Sequence, residues 1–180
     1  MTMPNNPKIC IIHVYFGKKP AWFDHFIHSC SINYSIDFLI FTDIFDLCYH
    51  YSNISVIYLS QKDLKINILD KLGILPTFTD PYKLCDFKPT YGRIFDEHLK
   101  NYDYWGYIDN DLILGDIQTY FSSKLKDNYD IISLYSGFMS GPLTICKNSD
   151  PINYLYKNID DYRLVLNKAK YKGMDENIIR

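Results

Sequence analysis

Two carboxylates one residue apart, Asp109 and Asp111, close an apolar run that reads Tyr104-Trp105-Gly106-Tyr107-Ile108. Side chains alternate faces along a strand, so residues two apart point the same way. Two like charges that close repel unless something positive sits between them. Hard divalent cations favour carboxylate oxygen. Asp109-Asn110-Asp111 is therefore read as a tip that holds Mn2+ or Mg2+ and, through that ion, a phosphorylated ligand. The competing reading is an Asx-type turn or a helix cap following a strand. The apolar residues on both sides, including Leu112-Ile113-Leu114, favour the metal, because charges set among core residues are costly unless they do something.

Other residues with useful chemistry fall at comparable places. Tyr15-Phe16-Gly17 and Thr42-Asp43 each end an apolar, strand-like run. Ligands of open α/β sheets bind at the carboxyl ends of strands, so these tips and the aspartate pair are expected to share one cleft. Asp43 reads equally well as a cap or as an acceptor for a base N–H or a ribose hydroxyl. Lys88 and Arg93 precede the aspartate strand. They are either a solvated helix face or the cations that neutralise a phosphate. Asp86 is either an N-cap or part of the same site. Asp175-Glu176 reads as an exposed acidic pair, and His13 as a core histidine with its hydrogen bonds satisfied. No Gly-x-Ser-x-Gly and no glycine-rich phosphate loop is present, which disfavours nucleophilic hydrolase and dinucleotide chemistry.

The elements that must carry these residues follow a recognisable grammar. Residues 8–15, 36–41 and 54–59 are continuous β-branched and aromatic runs, as in strands buried on both faces of a parallel sheet. A helix is predicted over 20–31, with Pro20 in its first turn. A second follows Ser60 as cap and closes at Gly73. Residues 86–102 read as a helix interrupted near Pro89. The strand 104–108 follows, then a helix capped by Asp116 whose inner face is Ile117, Tyr120, Phe121 and Leu125. Strands are predicted at 130–135 and 143–146, around a turn containing Gly137 and Gly141. A final helix of about five turns is predicted over 150–170. The pattern is α/β: one domain over 1–180 with a mainly parallel sheet flanked by helices.

Composition narrows the functions. The net charge is −2, with no basic run, which argues against electrostatic binding of nucleic acid. The five cysteines are widely spaced, without a Cys-x-x-Cys pair, and read as reduced thiols rather than a zinc site or a disulfide framework. Seventeen Tyr and eleven Phe suit an aromatic core beside a wet cleft. Neither a signal peptide nor a membrane span is recognised. The chain is read as soluble and cytoplasmic, with any membrane contact peripheral.

Together these residues resemble GT-A-fold (Rossmann-like) glycosyltransferases, close to a bacterial family related to those making capsular and lipopolysaccharide sugars. The likeness rests on the opening strand with Tyr15-Phe16-Gly17, Pro20, Trp22-Phe23, Ser29-Cys30 and 36–43. Its more specific part is the run 81–116, Pro-Tyr-Lys-Leu-Cys-Asp-Phe-Lys-Pro-Thr-Tyr-Gly followed by Trp-Gly-Tyr-Ile-Asp-Asn-Asp-Leu-Ile-Leu-Gly-Asp. The resemblance implies a nucleotide-sugar donor, expected to be UDP-linked, and a glycan or lipid-linked hydroxyl acceptor. It implies that Asp109 and Asp111 bind Mn2+ or Mg2+ on the donor diphosphate, with Asn110 between them. It places Tyr15, Phe16 and Gly17 around the nucleoside, Thr42 and Asp43 at base or ribose, and Asp86 and Lys88 toward sugar and phosphates, with Arg93 as a further cation. Gly137 and Gly141 would lie beneath the transferred sugar. Asp175 and Glu176 would face the acceptor, one of them as base if the reaction inverts the anomeric centre. Relatives continue beyond this acidic pair, so the chain is read as a C-terminally truncated form. Two other readings stand beside this one. They are a haloacid-dehalogenase-like phosphatase using Asp109 and Asp111, and a non-catalytic nucleotide-sugar or glycan-binding module.

Overall fold

The computed structural model describes residues 7–135 and 137–175. Six strands form one sheet: β1 (Ile9–Tyr15), β2 (Ile36–Thr42), β3 (Ile54–Tyr58), β4 (Tyr104–Ile108), β5 (Ile131–Ser133) and β6 (Leu143–Lys147). Their order is β3-β2-β1-β4-β6-β5. The pairs β2–β3, β1–β2 and β1–β4 are parallel, and β6 runs antiparallel to both β4 and β5. The apolar runs are long and lack alternation because helices cover both faces. Cys10, Ile12, Leu39, Phe41, Trp105 and Tyr107 face one layer, while Ile9, Ile11, Phe38, Ile40, Tyr104 and Ile108 face the other.

Helix α1 (Phe23–Ser31) packs Phe23, Phe26 and Ile27 on the second of these faces. Helix α2 (Gln61–Leu72) packs Leu64, Ile68 and Leu72 on the first. Ser60 caps α2, its hydroxyl accepting from the Asp63 N–H at 3.1 Å, and Gly73 closes it in the left-handed region. The chain thus leaves β1 over one face and returns to β4 over the other. The strand order reverses between β1 and β4, the place where open α/β sheets hold ligands. Gly106 lets β6 close on β4, since a Cβ there would lie 2.7 Å from the Thr144 carbonyl oxygen.

Five expectations are corrected. The segment before β4 is not one interrupted helix. It is a 3-10 helix (Pro81–Thr90), then α3 (Tyr91–Ile94) and α4 (Asp96–Leu99). Pro89 has no N–H to give an α-turn, and Asp80 caps the run by accepting from the Tyr82 N–H at 2.9 Å. In α5 (Ile117–Lys126), Ile117, Phe121 and Leu125 are buried as expected but Tyr120 is exposed. Asp116 caps that helix through the Thr119 N–H. The long final helix is replaced by α6 (Asp150–Asn153), a 3-10 turn (Leu155–Asn158) and α7 (Tyr162–Asn167). Asp161 takes a left-handed conformation (φ 58°) that no helix interior tolerates. At the edges, the strand expected over 130–135 shortens to β5, and the first helix begins at Phe23 instead of Pro20.

The described cysteines are free, with Cys10, Cys30 and Cys146 buried. Among the described residues, no helix is long and apolar enough to cross a membrane.

Candidate functional site

A cavity of about 460 Å3 opens at the carboxyl ends of β1 and β4. That volume lies in the range of small-molecule sites. From β1 and its tip come His13, Val14, Tyr15 and Phe16; from β4 and its tip come Ile108, Asp109, Asn110 and Asp111. The 3-10 helix and its cap supply Asp80, Tyr82, Leu84, Cys85 and Lys88, α3 supplies Tyr91, and Gly141, Tyr171 and Asp175 complete the wall.

Lys88 is the centre of the polar end. Its ammonium lies 2.8 Å from Asp109 Oδ1 and 2.9 Å from Oδ2, and donates to the Gly141 carbonyl at 2.7 Å. It is the one Lys or Arg among the described residues that line the cavity. Burial pulls its pKa down, but the Asp109 carboxylate outweighs this, aided by Cys85, the hydrogen bond itself and Asp175, and the net shift is upward. Lys88 is therefore a permanent ammonium, a charge for binding an anion and not a base.

The middle residue of the tip is held from two sides. His13 Nδ1 lies 2.9 Å from the Ile108 carbonyl. A carbonyl only accepts, so Nδ1 carries the proton and Nε2 is the acceptor. The Asn110 amide nitrogen then donates to Nε2 at 3.4 Å, and Trp22 Nε1 donates to Asn110 Oδ1 at 3.4 Å. His13 is thus both a satisfied core histidine and a wall of the cavity. Its ring also stacks near Tyr15, with centroids 6.1 Å apart. Position carried that information: two residues along a strand share a face.

Burial holds the His13 pKa down to about 4; the Ile108 bond raises it, Lys88 lowers it and Asp111 raises it. An unfolded histidine titrates near 6.5. Above that pH the group is neutral in both states and adds no pH dependence. As pH falls from 6.5 toward 4, only the unfolded chain takes up this proton, so stability drops. Between pH 7 and 4.5, His13 is expected to remove roughly 2–3 kcal/mol. Urea unfolding at the two pH values measures this: His13→Gln should lose that much less than wild type, and equal losses would contradict the assignment.

The remaining predicted residues separate into groups. Tyr15, Phe16, Lys88, Asp109, Asn110, Asp111, Gly141 and Asp175 are brought together at the cavity. Gly17, Thr42 and Asp43 are not in its wall. The Gly17 N–H donates to Asp43 Oδ1 at 2.9 Å, tying the β1 tip to the β2 tip. Gly17 needs its left-handed φ of 112° to do so. Thr42 is fully buried and its hydroxyl accepts from the Ile44 N–H. These residues shape the β1 tip from behind. Arg93 lies away from the cavity, paired with Asp96 at 3.0 Å and set over the Tyr154 ring. Asp86 is fully buried, outside the wall, and paired with Lys83. Gly137 is exposed and outside the wall, with φ 93°. Glu176 lies outside the described residues.

Sequence reasoning missed the aromatic rim of Tyr82 and Tyr171, whose rings meet edge to face at 5.0 Å. The available signal was Asp80-Pro81, a cap followed by Pro at a first helical position. It puts the helix start upstream of Asp86 and Tyr82 in its first turn.

No group of three or more His, Cys, Asp or Glu among the described residues is arranged to hold a metal by itself. The acidic tip offers two carboxylates. Mg2+-type ions commonly take one or two protein carboxylates and fill their other positions with water and substrate phosphate. The donor set therefore fits a cation that arrives with a phosphorylated ligand, and not a closed structural metal site.

Residues 11–180 match DUF6625, described as a family of unknown function. The chain belongs to that family. No curated protein and no solved structure matches it. For this DUF6625 chain the functional reading therefore rests on the cavity: among the four aspartates of its wall, the Asp109 and Asp111 tip meets the Lys88 ammonium at the reversal point of the sheet, faced by tyrosines.

Proposed function

We propose that this DUF6625 chain is a GT-A-like, divalent-metal-dependent glycosyltransferase that moves a sugar from a nucleotide diphosphate, UDP-linked, to a hydroxyl of a glycan or lipid-linked acceptor. We place its action in the cytoplasm, with peripheral contact where the acceptor is membrane-bound. The observation that carries this is the meeting of Asp109, Asp111 and Lys88 in one cavity at the β1/β4 reversal. In this reading the nucleoside would lie at the Tyr15 and Phe16 side of the cavity and its diphosphate at the charged end.

Asp109 and Asp111 would hold Mn2+ or Mg2+, and such an ion supplies Lewis-acid charge to a diphosphate leaving group. Lys88 presents a fixed ammonium to the same anion. Asp109 and Gly141 hold that ammonium in place before the ligand arrives, so little reorganisation is needed as negative charge develops. Asp175 is nearly fully buried and lies close enough to Lys88 and Tyr91 to act on both electrostatically. In this reading Asp175, a residue of the cavity wall, is the carboxylate that would accept a proton from an acceptor hydroxyl in an inverting reaction. Tyr82 and Tyr171 form an aromatic rim suited to a sugar face.

The test is release of UDP from a panel of UDP-sugars, with and without an acceptor mixture. Turnover is expected with Mn2+ and should fall at least about a hundredfold on chelation, because several kcal/mol of charge stabilisation leaves with the ion. Binding of UDP with no turnover of any UDP-sugar would instead assign a binding module. Turnover of an aryl phosphate would assign a phosphatase.

A further inference from the structure

Asp86 is built to hold another segment. Its Oδ2 accepts from the Lys172 N–H at 2.8 Å and its Oδ1 from the Met174 N–H at 2.9 Å. Lys83 pairs with the same carboxylate and also donates to the Val165 carbonyl at 2.8 Å. The spacing is what a 3-10 helix provides, since residues three apart lie one above the other. Both side chains are wholly buried. Asp86 therefore grips the backbone on either side of Gly173, which has a left-handed φ of 69°. Tyr171 lies on one side of this grip and Asp175 on the other, and both line the cavity.

We infer that Lys83 and Asp86 form a latch that docks residues 171–175 as one wall of the cavity, making Asp86 a positioning residue that acts through Asp175 and Tyr171. The pair touches the cavity only through what it holds. Two charges are not needed merely to fill this core, because apolar residues of similar size often serve stability as well or better. A carboxylate is needed to accept two backbone N–H groups at once while the neighbouring ammonium neutralises it.

The structural half of this inference stands independently; its effect on turnover rests on the glycosyl-transfer reading. The discriminating variant is the double Lys83→Met, Asp86→Leu, which removes both charges together and keeps the volume. It leaves no unpaired charge, so it should lose less stability than Asp86→Ala, although the two amides lose their acceptor. Its amides at Lys172 and Met174 should exchange at least about tenfold faster, since their acceptors are gone. Mn2+-dependent affinity for UDP should stay within about threefold of wild type, while kcat for the UDP-sugar that wild type turns over fastest should fall at least about tenfold. Asp86→Asn keeps one acceptor oxygen and should lie between the two, which serves if the double variant does not fold. Wild-type exchange at these two amides in a folded variant would overturn the latch. A latch seen by exchange with kcat unchanged would overturn the positioning role. If wild type neither binds UDP nor turns over a UDP-sugar, the functional proposal fails and exchange alone judges the latch.

Discussion

Replacing Lys88 with Met is expected to lower UDP-sugar turnover by about 10²–10³-fold, the usual effect of removing one preorganised electrostatic group from an active site. Three features make the effect large. The ammonium is buried, so its charge is weakly screened. It is fixed by Asp109 and the Gly141 carbonyl, so it does not have to be reorganised during reaction. No other described Lys or Arg lines the cavity to replace it. The effect should fall mainly on kcat, because leaving-group charge is greater in the transition state than in the bound substrate. Stability should change little by comparison, since the Asp109 side chain is 34% exposed and water can solvate it. Lys88→Arg keeps the charge but spreads it over a planar fork too wide for a point contact between a carboxylate and a carbonyl. It should recover only part of the loss. Steady-state kinetics with each variant provides the check, and wild-type kcat in Lys88→Met would remove Lys88 from the chemistry.

Asp86→Ala alone is expected to be the most destabilising single change in this region, at about 3–5 kcal/mol, the range for breaking one partner of a buried pair. The substitution strands the Lys83 ammonium in the core, where it keeps its hydrogen bond to the Val165 carbonyl but loses its counter-charge. It also leaves the amides of Lys172 and Met174 without their acceptor. At about 2–4 °C per kcal/mol for a domain of this size, the melting temperature should drop by roughly 6–20 °C. Urea titration should show a lower midpoint with an unchanged slope. A loss below about 1 kcal/mol would mean that water reaches Lys83 and that the pair is not sealed.

The sheet was legible in the sequence to the extent that apolar runs were long and bounded by turns. β1, β2, β3, β4 and β6 lie close to where residue patterns put them, and Ser60, Gly73 and Asp116 act as caps for the physical reasons that pick them out. What did not show was how helical segments break. Periodicity over 86–102 and over 150–170 is genuine, but it cannot report a 3-10 pitch or the left-handed residue Asp161, which are set by tertiary contacts. The same gap affected the site. Asp109, Asn110, Asp111, Tyr15 and Phe16 could be assigned to one cavity because strand ends can be located from pattern alone. Asp86 and Lys88 looked equivalent, two residues apart on one segment. The 3-10 pitch separates them: Lys88 reaches Asp109 at the cavity, whereas Asp86 turns to Lys83 and the segment 171–175. Thr42 and Asp43 sit at a strand end like the others, but β2 is one strand removed from the reversal point, so its tip lies outside the cavity wall and braces β1.

Asp109 and Asp111 are proposed to hold a divalent cation together with a nucleotide diphosphate. Titration calorimetry of UDP into the purified chain, with Mn2+ and with chelator, tests it most directly when repeated on Asp109→Asn, Asp111→Asn. Saturable binding to wild type is expected, at least about tenfold weaker without the metal, with no measurable binding to the double variant. Equal UDP affinity in wild type and the folded double variant, or affinity indifferent to Mn2+, would contradict it.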